Sequence, residues 1–206
     1  HEDCRRQRQM CIRDRPRVIL VQNVGLFSVG DSLNASKIAG DLTETNARVI
    51  SSVEETTKYK FIPEKDLFDV EYWSLEQAKI KKTKKILQGN VVVITGGFGA
   101  IGSATYKLFK SYGAEIVLLD YDSKKVKEMQ SKIKDLCLHC DVTSKNSVKN
   151  AFKKICEQYG GIDILISNAG TAVGGSIAEI NDNILRQSFE DNFFSHQNCA
   201  SETIKI

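Results

Sequence analysis

The pattern of apolar and polar positions changes character near Gly89. From there onward, short apolar runs alternate with longer segments in which apolar residues recur at helical spacing. The predicted strands are 90–95, 115–120, 136–140 and 162–167. The predicted helices lie near 101–112, 123–134 and 144–159, with a last helix from about Asn183 to the end. Alternating strands and helices of this kind are typical of an α/β fold with a parallel sheet covered on both faces.

The pattern before Gly89 predicts a smaller α/β segment. The run "VILVQ" (18–22) predicts a short strand, and "NVGLFSVGD" (23–31) predicts a loop. Apolar residues at helical spacing predict a long helix from about Ser36 to Thr57, and a shorter helix follows Pro63. The predicted domains are therefore a front segment at 16–82, a lysine-rich linker at 83–88 and a sheet domain at 89–206.

The first fifteen residues, "HEDCRRQRQMCIRDR", do not fit either part. They contain five arginines and two cysteines and show neither a helical nor a strand period. We interpret 1–15 as a non-native leader and exclude it from the fold prediction.

Composition excludes several classes of partner. The chain has 29 Lys and Arg against 26 Asp and Glu, a net charge of +3, which indicates no nucleic-acid or membrane partner. No apolar run approaches the roughly 20 residues that a membrane span needs. The six cysteines are irregularly spaced, which favours a reduced, cytoplasmic setting. "CLHC" (137–140) has metal-like spacing, but residues three apart on a strand point to opposite faces, so no metal site is predicted.

The chemistry is concentrated in "VVVITGGFGAIG" (91–102), a strand that runs into a glycine-rich turn and a helix. Gly96 allows a tight bend, while Gly99 and Gly102 let the backbone and helix approach a pyrophosphate. The flanking Thr95 and Ile101 complete this predicted cofactor-binding turn.

Asp120 ends the next predicted strand and can accept hydrogen bonds from an adenosine ribose. Its charge would repel a 2′-phosphate, and residues 95–102 contain no Lys or Arg to attract one, so NAD is favoured over NADP. The alternative is that Asp120 is a helix cap or turn residue in "DYDSKK".

Two further motifs carry a family resemblance over residues 89–206. Asp141 and Val142 directly follow the third strand, and Asn168, Ala169 and Gly170 directly follow the fourth. The domain thus resembles a classical short-chain dehydrogenase/reductase. The resemblance implies a Rossmann-type doubly wound sheet of which only strands in the order 3-2-1-4 are present. It also implies that Asp141 and Val142 lie against the adenine and that the Asn-Ala-Gly turn lies beside the nicotinamide ribose.

The same resemblance implies that Asn192, in "FEDNFFSHQ", is the catalytic asparagine. The family's Ser and Tyr-x-x-x-Lys pair would follow beyond Ile206, and Tyr106, Tyr112 and Tyr159 are not expected to replace that tyrosine. We therefore expect this chain to bind a dinucleotide without turnover. An uncovered fourth strand further predicts marginal stability and aggregation. His196, one helical turn after Asn192, is expected to be structural.

The front segment has its own resemblance, carried by "FDVEYWSLEQAK" (68–79). It is similar to the segment that joins the halves of bifunctional rhamnulose-1-phosphate aldolase/short-chain dehydrogenases. This implies a zinc-dependent class II aldolase that yields dihydroxyacetone phosphate and lactaldehyde, with the dehydrogenase oxidising the aldehyde. It implies a cytoplasmic enzyme with a small-molecule substrate, expected to be a homo-oligomer when intact. Val24 stands where such aldolases often carry a zinc-binding His, so no metal ligand is assigned.

Two other functions remain open. The chain could be a non-catalytic dinucleotide-binding module, because the catalytic pair is absent. It could also be an epimerase-like sugar-nucleotide enzyme: Ala100 occupies the middle glycine position of the classical pattern, whereas Gly99 and Gly102 fit the epimerase pattern.

Overall fold

The chain divides into two compact units between residues 84 and 85. A computed structural model describes residues 16–71, 85–176 and 178–206. We call residues 16–71 the front unit, and residues 85–176 with 178–206 the rear unit. The predicted leader, the start of the predicted linker and most of the "FDVEYWSLEQAK" stretch lie outside the described residues.

The front unit consists of a hairpin and two helices. Strands β1 (Val18–Val21) and β2 (Gly25–Ser28) pair antiparallel. Helix α1 spans Leu33–Glu54, and helix α2 spans Glu64–Glu71. Helix α1 begins earlier than predicted because the Ser32 hydroxyl accepts a hydrogen bond from the Ala35 N–H and caps the first turn.

The prediction of a loop over 23–31 is wrong for its middle part, where β2 forms. Asn23 and Gly25 take positive φ angles of 61° and 139°, which let the chain reverse within three residues. The segment between Gly25 and Ser28 is then free to pair with β1, and Leu26 and Phe27 suit a strand. Asn23 and Gly25 therefore mark a hairpin turn rather than a long loop.

The rear unit contains a four-stranded parallel sheet in the order β5-β4-β3-β6. Its strands are β3 (Val91–Thr95), β4 (Glu115–Asp120), β5 (Leu136–His139) and β6 (Ile164–Ile166). Helices α3 (Ala100–Ser111), α4 (Ser123–Lys132) and α5 (Lys145–Tyr159) connect them. The α/β fold with a Rossmann-like parallel sheet is confirmed.

Helices cover both faces of this sheet. On one face, Val93 and Val117 pack with Phe152 and Ile155 of α5. On the other, Ile94 of β3 packs in a second core to which α3 and α4 contribute. The central strand β3 is buried along its whole length, as a parallel sheet with two covered faces requires.

Strand β6 is shorter than the predicted 162–167. The Asp163 carboxylate accepts the Val91 N–H at 2.7 Å, so a side chain takes the place of a backbone partner where the ladder begins. In the described part of the chain, β6 pairs with β3 alone and forms an edge of the sheet.

The last predicted helix is interrupted. Helix α6 (Asp182–Phe189) leads into a π-helical turn (Glu190–Phe194) and then helix α7 (Ser195–Thr203). A π-turn inserts one extra residue into a helix and rotates the residues that follow it; such turns are frequent at functional sites. None of the described helices is both long and apolar enough to cross a membrane.

Candidate dinucleotide-binding site

A cavity of about 780 Å³ opens at the carboxyl ends of the four parallel strands. The chain runs from β3 outward to β5 and then returns to place β6 on the other side of β3. Open α/β sheets bind ligands at such a reversal of strand order. The lining residues come from the turns that follow the strands and from the helical segment before Asn192: Gly96, Phe98, Gly99, Ala100, Ile101, Asp120, Tyr121, Lys125, Cys140, Asp141, Val142, Thr143, Asn168, Ala169, Gly170, Thr171, Gln187 and Asp191.

Gly96, in the turn after β3, and Gly102, in the first turn of α3, have no room for a side chain. Gly96 has a φ of +61°, and a Cβ there would lie 2.9 Å from the Ala169 Cα. A Cβ on Gly102 would lie 2.3 Å from the Gly96 carbonyl oxygen. Gly102 therefore allows the first turn of α3 to pack directly against the glycine turn. It does not itself line the cavity.

Gly99 is the N-cap of α3. Because it has no side chain, the first turn of the helix has no side-chain capping hydrogen bond. The first-turn N–H groups of an α-helix have no partner within the helix. Ala100 and Ile101, in that first turn, line the cavity. An uncapped helix N-terminus at a cavity wall fits the phosphate groups of a ligand.

Asp120 lies at the end of β4 on the cavity wall, as the ribose interpretation requires. One carboxylate oxygen accepts the Phe98 N–H of the glycine turn at 3.1 Å, and the other accepts the Asp122 N–H at 3.1 Å. The cap of α4 is Asp122, whose carboxylate accepts the Lys124 and Lys125 N–H groups. These backbone hydrogen bonds, that of Lys125 foremost, lower the pKa of Asp122. Capping is thus done by another residue, while Asp120 faces the cavity.

The turn after β5 places Asp141 and Val142 on the same wall. The Asp141 carboxylate accepts the Thr143 N–H at 3.0 Å and the Thr143 hydroxyl at 2.7 Å. The Val142 carbonyl accepts a hydrogen bond from the buried Asn198 side chain of α7. This turn is therefore closed by its own hydrogen bonds and held from the core side by Asn198.

Thr95 is fully buried and acts behind the cavity wall. Its hydroxyl oxygen accepts the N–H groups of Asn168 and Ala169, each at 2.9 Å. The Asn168 amide donates in return to the carbonyls of Thr95 and Gly96, at 3.0 and 3.1 Å. The Asn-Ala-Gly turn after β6 is thus fixed to the glycine turn after β3.

Asn192 lies in the π-helical turn but does not line the cavity. Its amide oxygen accepts the Thr171 N–H at 3.0 Å, and its amide nitrogen donates to the Thr171 carbonyl at 2.8 Å and the Ser188 carbonyl at 2.9 Å. A Cβ on Gly170 would lie 2.6 Å from the Asn192 amide oxygen. The arrangement shows a side chain that binds the backbone of the loop after Gly170; its predicted catalytic role remains a prediction.

Sequence reasoning missed Tyr121, Lys125, Thr171, Gln187 and Asp191, which also line the cavity. The Thr171 hydroxyl donates to Asp191 at 2.7 Å, and the Gln187 amide donates to the same carboxylate at 2.8 Å. The helical i,i+4 spacing of Gln187 and Asp191 was readable from the sequence. Asp191 lies within the π-turn, which the apolar period does not reveal.

Two tyrosines are followed by a lysine four residues later, namely Tyr106 by Lys110 and Tyr121 by Lys125. Tyr106 and Lys110 both bind the buried Asp135 carboxylate at the start of β5, away from the cavity-lining residues. Burial, helped by the hydrogen bond to Asp135, raises the pKa of Tyr106 to about 12. Tyr106 is therefore a structural residue in this fold.

The cysteines of "CLHC" lie in different cores, since Cys137 packs on one face of the sheet and Cys140 on the other. Burial raises the pKa of each thiol to about 11. Within residues 16–71, 85–176 and 178–206, no group of three or more potential metal ligands occurs.

His196 makes a hydrogen bond through Nδ1 with the Ser167 hydroxyl, which ties α7 to the end of β6.

Comparisons with known proteins agree with this geometry. The family model for short chain dehydrogenases matches residues 90–206, and that for the second domain of class II aldolases matches residues 1–80. An uncharacterized oxidoreductase, YuxG of Bacillus subtilis, is 30% identical over an alignment 215 positions long that covers 93% of this chain and 31% of that protein. Short chain aldehyde dehydrogenase 1 of Euphorbia lathyris is 40% identical over an alignment 131 positions long that covers 60% of this chain and 45% of that protein.

Solved structures of dehydrogenases are also similar to this chain. Aldohexose dehydrogenase of Thermoplasma acidophilum, in ligand-free form, is 27% identical with a TM-score of 0.51, covering 56% of this chain and 43% of that one. A short chain dehydrogenase of Mycobacterium smegmatis is 25% identical with a TM-score of 0.55, covering 61% and 56%. The chain spans between about a third and a half of the length of the curated relatives described above. Because the family match covers more than half of its residues, the chain belongs to the short-chain dehydrogenase family, whose members typically bind NAD or NADP.

Proposed function

We propose that the cavity binds NAD and that the chain is part of an NAD-dependent oxidoreductase. The observation that carries this proposal is the convergence of the glycine turn, the uncapped N-terminus of α3 and the Asp120 carboxylate on one cavity. The helix N-terminus would bind the pyrophosphate, and Asp120 would accept hydrogen bonds from the adenosine ribose. The bound nicotinamide would supply hydride exchange with an aldehyde or alcohol.

The residues at the other end of the cavity would position the reacting groups. The Asn168 turn is fixed by Thr95, and the loop at Thr171 is fixed by Asp191 and Asn192. These contacts would hold the nicotinamide end of the site in one geometry before the cofactor binds. Preorganisation of this kind lowers the cost of ordering the site.

We further propose that the intact protein joins this oxidoreductase to a class II aldolase and oxidises lactaldehyde. The aldolase match over residues 1–80 and the match to YuxG across 93% of the chain support a fusion. Sequencing the source gene across both ends tests this. Coding sequence for an aldolase upstream, and for a Ser and a Tyr-x-x-x-Lys pair downstream, is expected. A stop codon directly after Ile206 would instead support a non-catalytic dinucleotide-binding module.

Binding of NAD to the 206-residue chain, measured by titration calorimetry, tests the cofactor proposal. Gly102→Ala is expected to abolish measurable binding, because the new Cβ meets the Gly96 carbonyl oxygen at 2.3 Å and displaces the glycine turn. Gly161→Ala is the matched control, since a Cβ there meets nothing within 4 Å. A nucleoside diphosphate sugar serves as the competing ligand. If it binds and NAD does not, the epimerase-like interpretation replaces this one.

A further inference from the structure

One acidic side chain on the cavity wall lies away from the proposed adenosine end. Three of the described lining residues are acids, namely Asp120, Asp141 and Asp191. Asp120 ends β4 and Asp141 follows β5, whereas Asp191 lies in the π-helical turn and accepts a hydrogen bond from Thr171, in the loop after β6. Strands β4 and β6 flank β3 on opposite sides. Asp120 therefore belongs to the β4 side of the cavity and Asp191 to the β6 side.

The order of the strands sets the direction in which the proposed cofactor would lie. A dinucleotide carries one nucleoside at each end of a pyrophosphate. The pyrophosphate would bind at the N-terminus of α3, directly after β3, and the adenosine ribose would bind at Asp120, after β4. The nicotinamide nucleoside would then extend in the opposite direction, towards the loop after β6. Asp191 therefore lies at the nicotinamide end.

Two neutral side chains hold the Asp191 carboxylate in place. The Thr171 hydroxyl donates to one oxygen at 2.7 Å, and the Gln187 amide donates to the other at 2.8 Å. The next residue, Asn192, binds the N–H and the carbonyl of Thr171, so the loop and the π-helical turn are fixed to each other. Since neither partner of the carboxylate carries a charge, these hydrogen bonds fix its position without neutralising it.

The two oxidation states of the cofactor differ in charge at the nicotinamide end alone. The nicotinamide ring of NAD⁺ carries one positive charge, which it loses when it accepts a hydride and becomes NADH. A fixed carboxylate near the ring attracts the oxidised form and has no such attraction for the reduced form. Asp120 would contact the same adenosine group in both forms, so it does not distinguish them.

We propose that Asp191 is a specificity-determining residue that strengthens the binding of NAD⁺ relative to NADH. This inference rests on the proposed function, namely that the cavity binds NAD. The effect suits an oxidation, which takes up NAD⁺ and must release NADH. Glu190 provides a natural comparison, because it is the neighbouring acid in the same π-helical turn and does not line the cavity.

Calorimetric titration of the full chain with NAD⁺, NADH and ADP-ribose tests the assignment. ADP-ribose retains the pyrophosphate and both riboses and lacks the nicotinamide. Asp191→Asn is expected to weaken NAD⁺ binding about fivefold, the upper end for one exposed ion pair, while binding of NADH and of ADP-ribose changes less than about twofold. Glu190→Gln is expected to leave the binding of all three unchanged. The Asp191 effect should shrink as salt concentration rises, since exposed charge pairs are screened.

A second variant separates the charge of Asp191 from its contact with the loop. Asp191→Asn keeps the shape of the side chain and an acceptor for the Thr171 hydroxyl, and the Gln187 amide can turn to accept from the new amide nitrogen. Thr171→Val removes the hydrogen bond and keeps the charge, so any weakening should be equal for NAD⁺ and NADH.

The outcomes distinguish this inference from the proposed function. If Asp191→Asn weakens NAD⁺ and NADH equally, or leaves NAD⁺ binding unchanged, the inference is overturned while the proposed function stands. If NAD⁺, NADH and ADP-ribose all fail to bind the unmodified chain, the proposed function itself fails.

Discussion

The two units differ sharply in how they treat apolar side chains. In the rear unit, Val92, Val93 and Ile94 of the central strand are fully buried. In the front unit, Leu20 and Val24 of the hairpin are 72% and 70% exposed, and α1 has no buried residue. Both units are built from apolar strands and amphipathic helices. Burial of apolar side chains therefore depends on having a layer on each face of a sheet, an arrangement that, among the described residues, the rear unit alone has.

This difference also explains where the site lies. A cavity wall must hold its groups still, and in the rear unit the turns after β6 and β5 are fixed by the buried residues Thr95 and Asn198. The front hairpin has a concave surface as well, but the residues along it are mostly exposed.

The largest effect is expected from Phe152→Ala, which empties the most voluminous fully buried position of the rear unit. The loss of buried area and the cavity left behind should lower the free energy of unfolding by about 3–5 kcal/mol. Leu20→Ala in the front unit should change it by less than about 0.5 kcal/mol. Urea unfolding monitored by circular dichroism measures both. Equal effects of the two substitutions would contradict the contrast between the units.

Thr95→Val is expected to have the next largest effect, because it keeps the shape of the side chain and removes the acceptor of two backbone N–H groups. We expect a loss of about 2–4 kcal/mol, together with weaker NAD binding, since the Asn168 turn is released. Thr95→Ser retains the hydroxyl and should therefore keep most of the stability and most of the NAD binding of the unmodified chain. As a front-unit control, Thr45→Ala removes an exposed hydroxyl that donates to the Asp41 carbonyl and should cost under about 0.5 kcal/mol. A tolerated valine at Thr95 would contradict its assigned role.

Alkaline pH should destabilise the rear unit through its buried thiols. Burial raises the pKa of Cys140 to about 11 and that of Cys199 to about 12, from an ordinary value of 9.0. The folded state therefore retains these protons after the unfolded state has lost them. The contribution of these two thiols to the free energy of unfolding should be constant below about pH 9 and fall between about pH 9 and 12. Cys199→Ala should make that fall shallower when the free energy of unfolding is measured against pH; an unchanged slope would rule out this cause.

The smallest effect is expected from Ser32→Ala, which removes the N-cap of α1 in the front unit. One helix cap contributes about 1 kcal/mol, and the helix has no buried residue to compensate for its loss. Helical content by circular dichroism should fall slightly while the rear-unit transition stays in place. Ser32→Asn, which also caps helices, should behave like the unmodified chain.

Most of the rear unit follows from the sequence, because the periods of strand and helix are unambiguous there. Capping residues such as Ser144 and the left-handed Gly160, which bound α5, are also readable from local chemistry. The hairpin at Gly25 was missed because a glycine and an asparagine in a short segment fit a loop as well as a turn. The π-turn at Asn192 was missed because one inserted residue leaves the apolar spacing on either side intact.

The parts of the site that are adjacent in sequence could be predicted, whereas the parts that the fold brings together from distant positions in sequence could not. The glycine turn is one continuous stretch of sequence, and the acid that binds next to it could be identified because it ends the next predicted strand. Lys125 and Asp191 reach the cavity only through the placement of α4 and of the π-turn. Asn192 was placed by resemblance alone, and its contacts with Thr171 became visible only in the fold.

Amide hydrogen exchange of the full chain, with and without NAD, locates the dinucleotide site. We expect NAD to slow exchange in the four turns at the carboxyl ends of the strands and to leave the front unit unchanged. The four segments are 96–103, 120–125, 141–143 and 168–171. Saturating NAD that leaves these segments unprotected, or that protects residues 16–71 instead, would contradict a dinucleotide site in the rear unit.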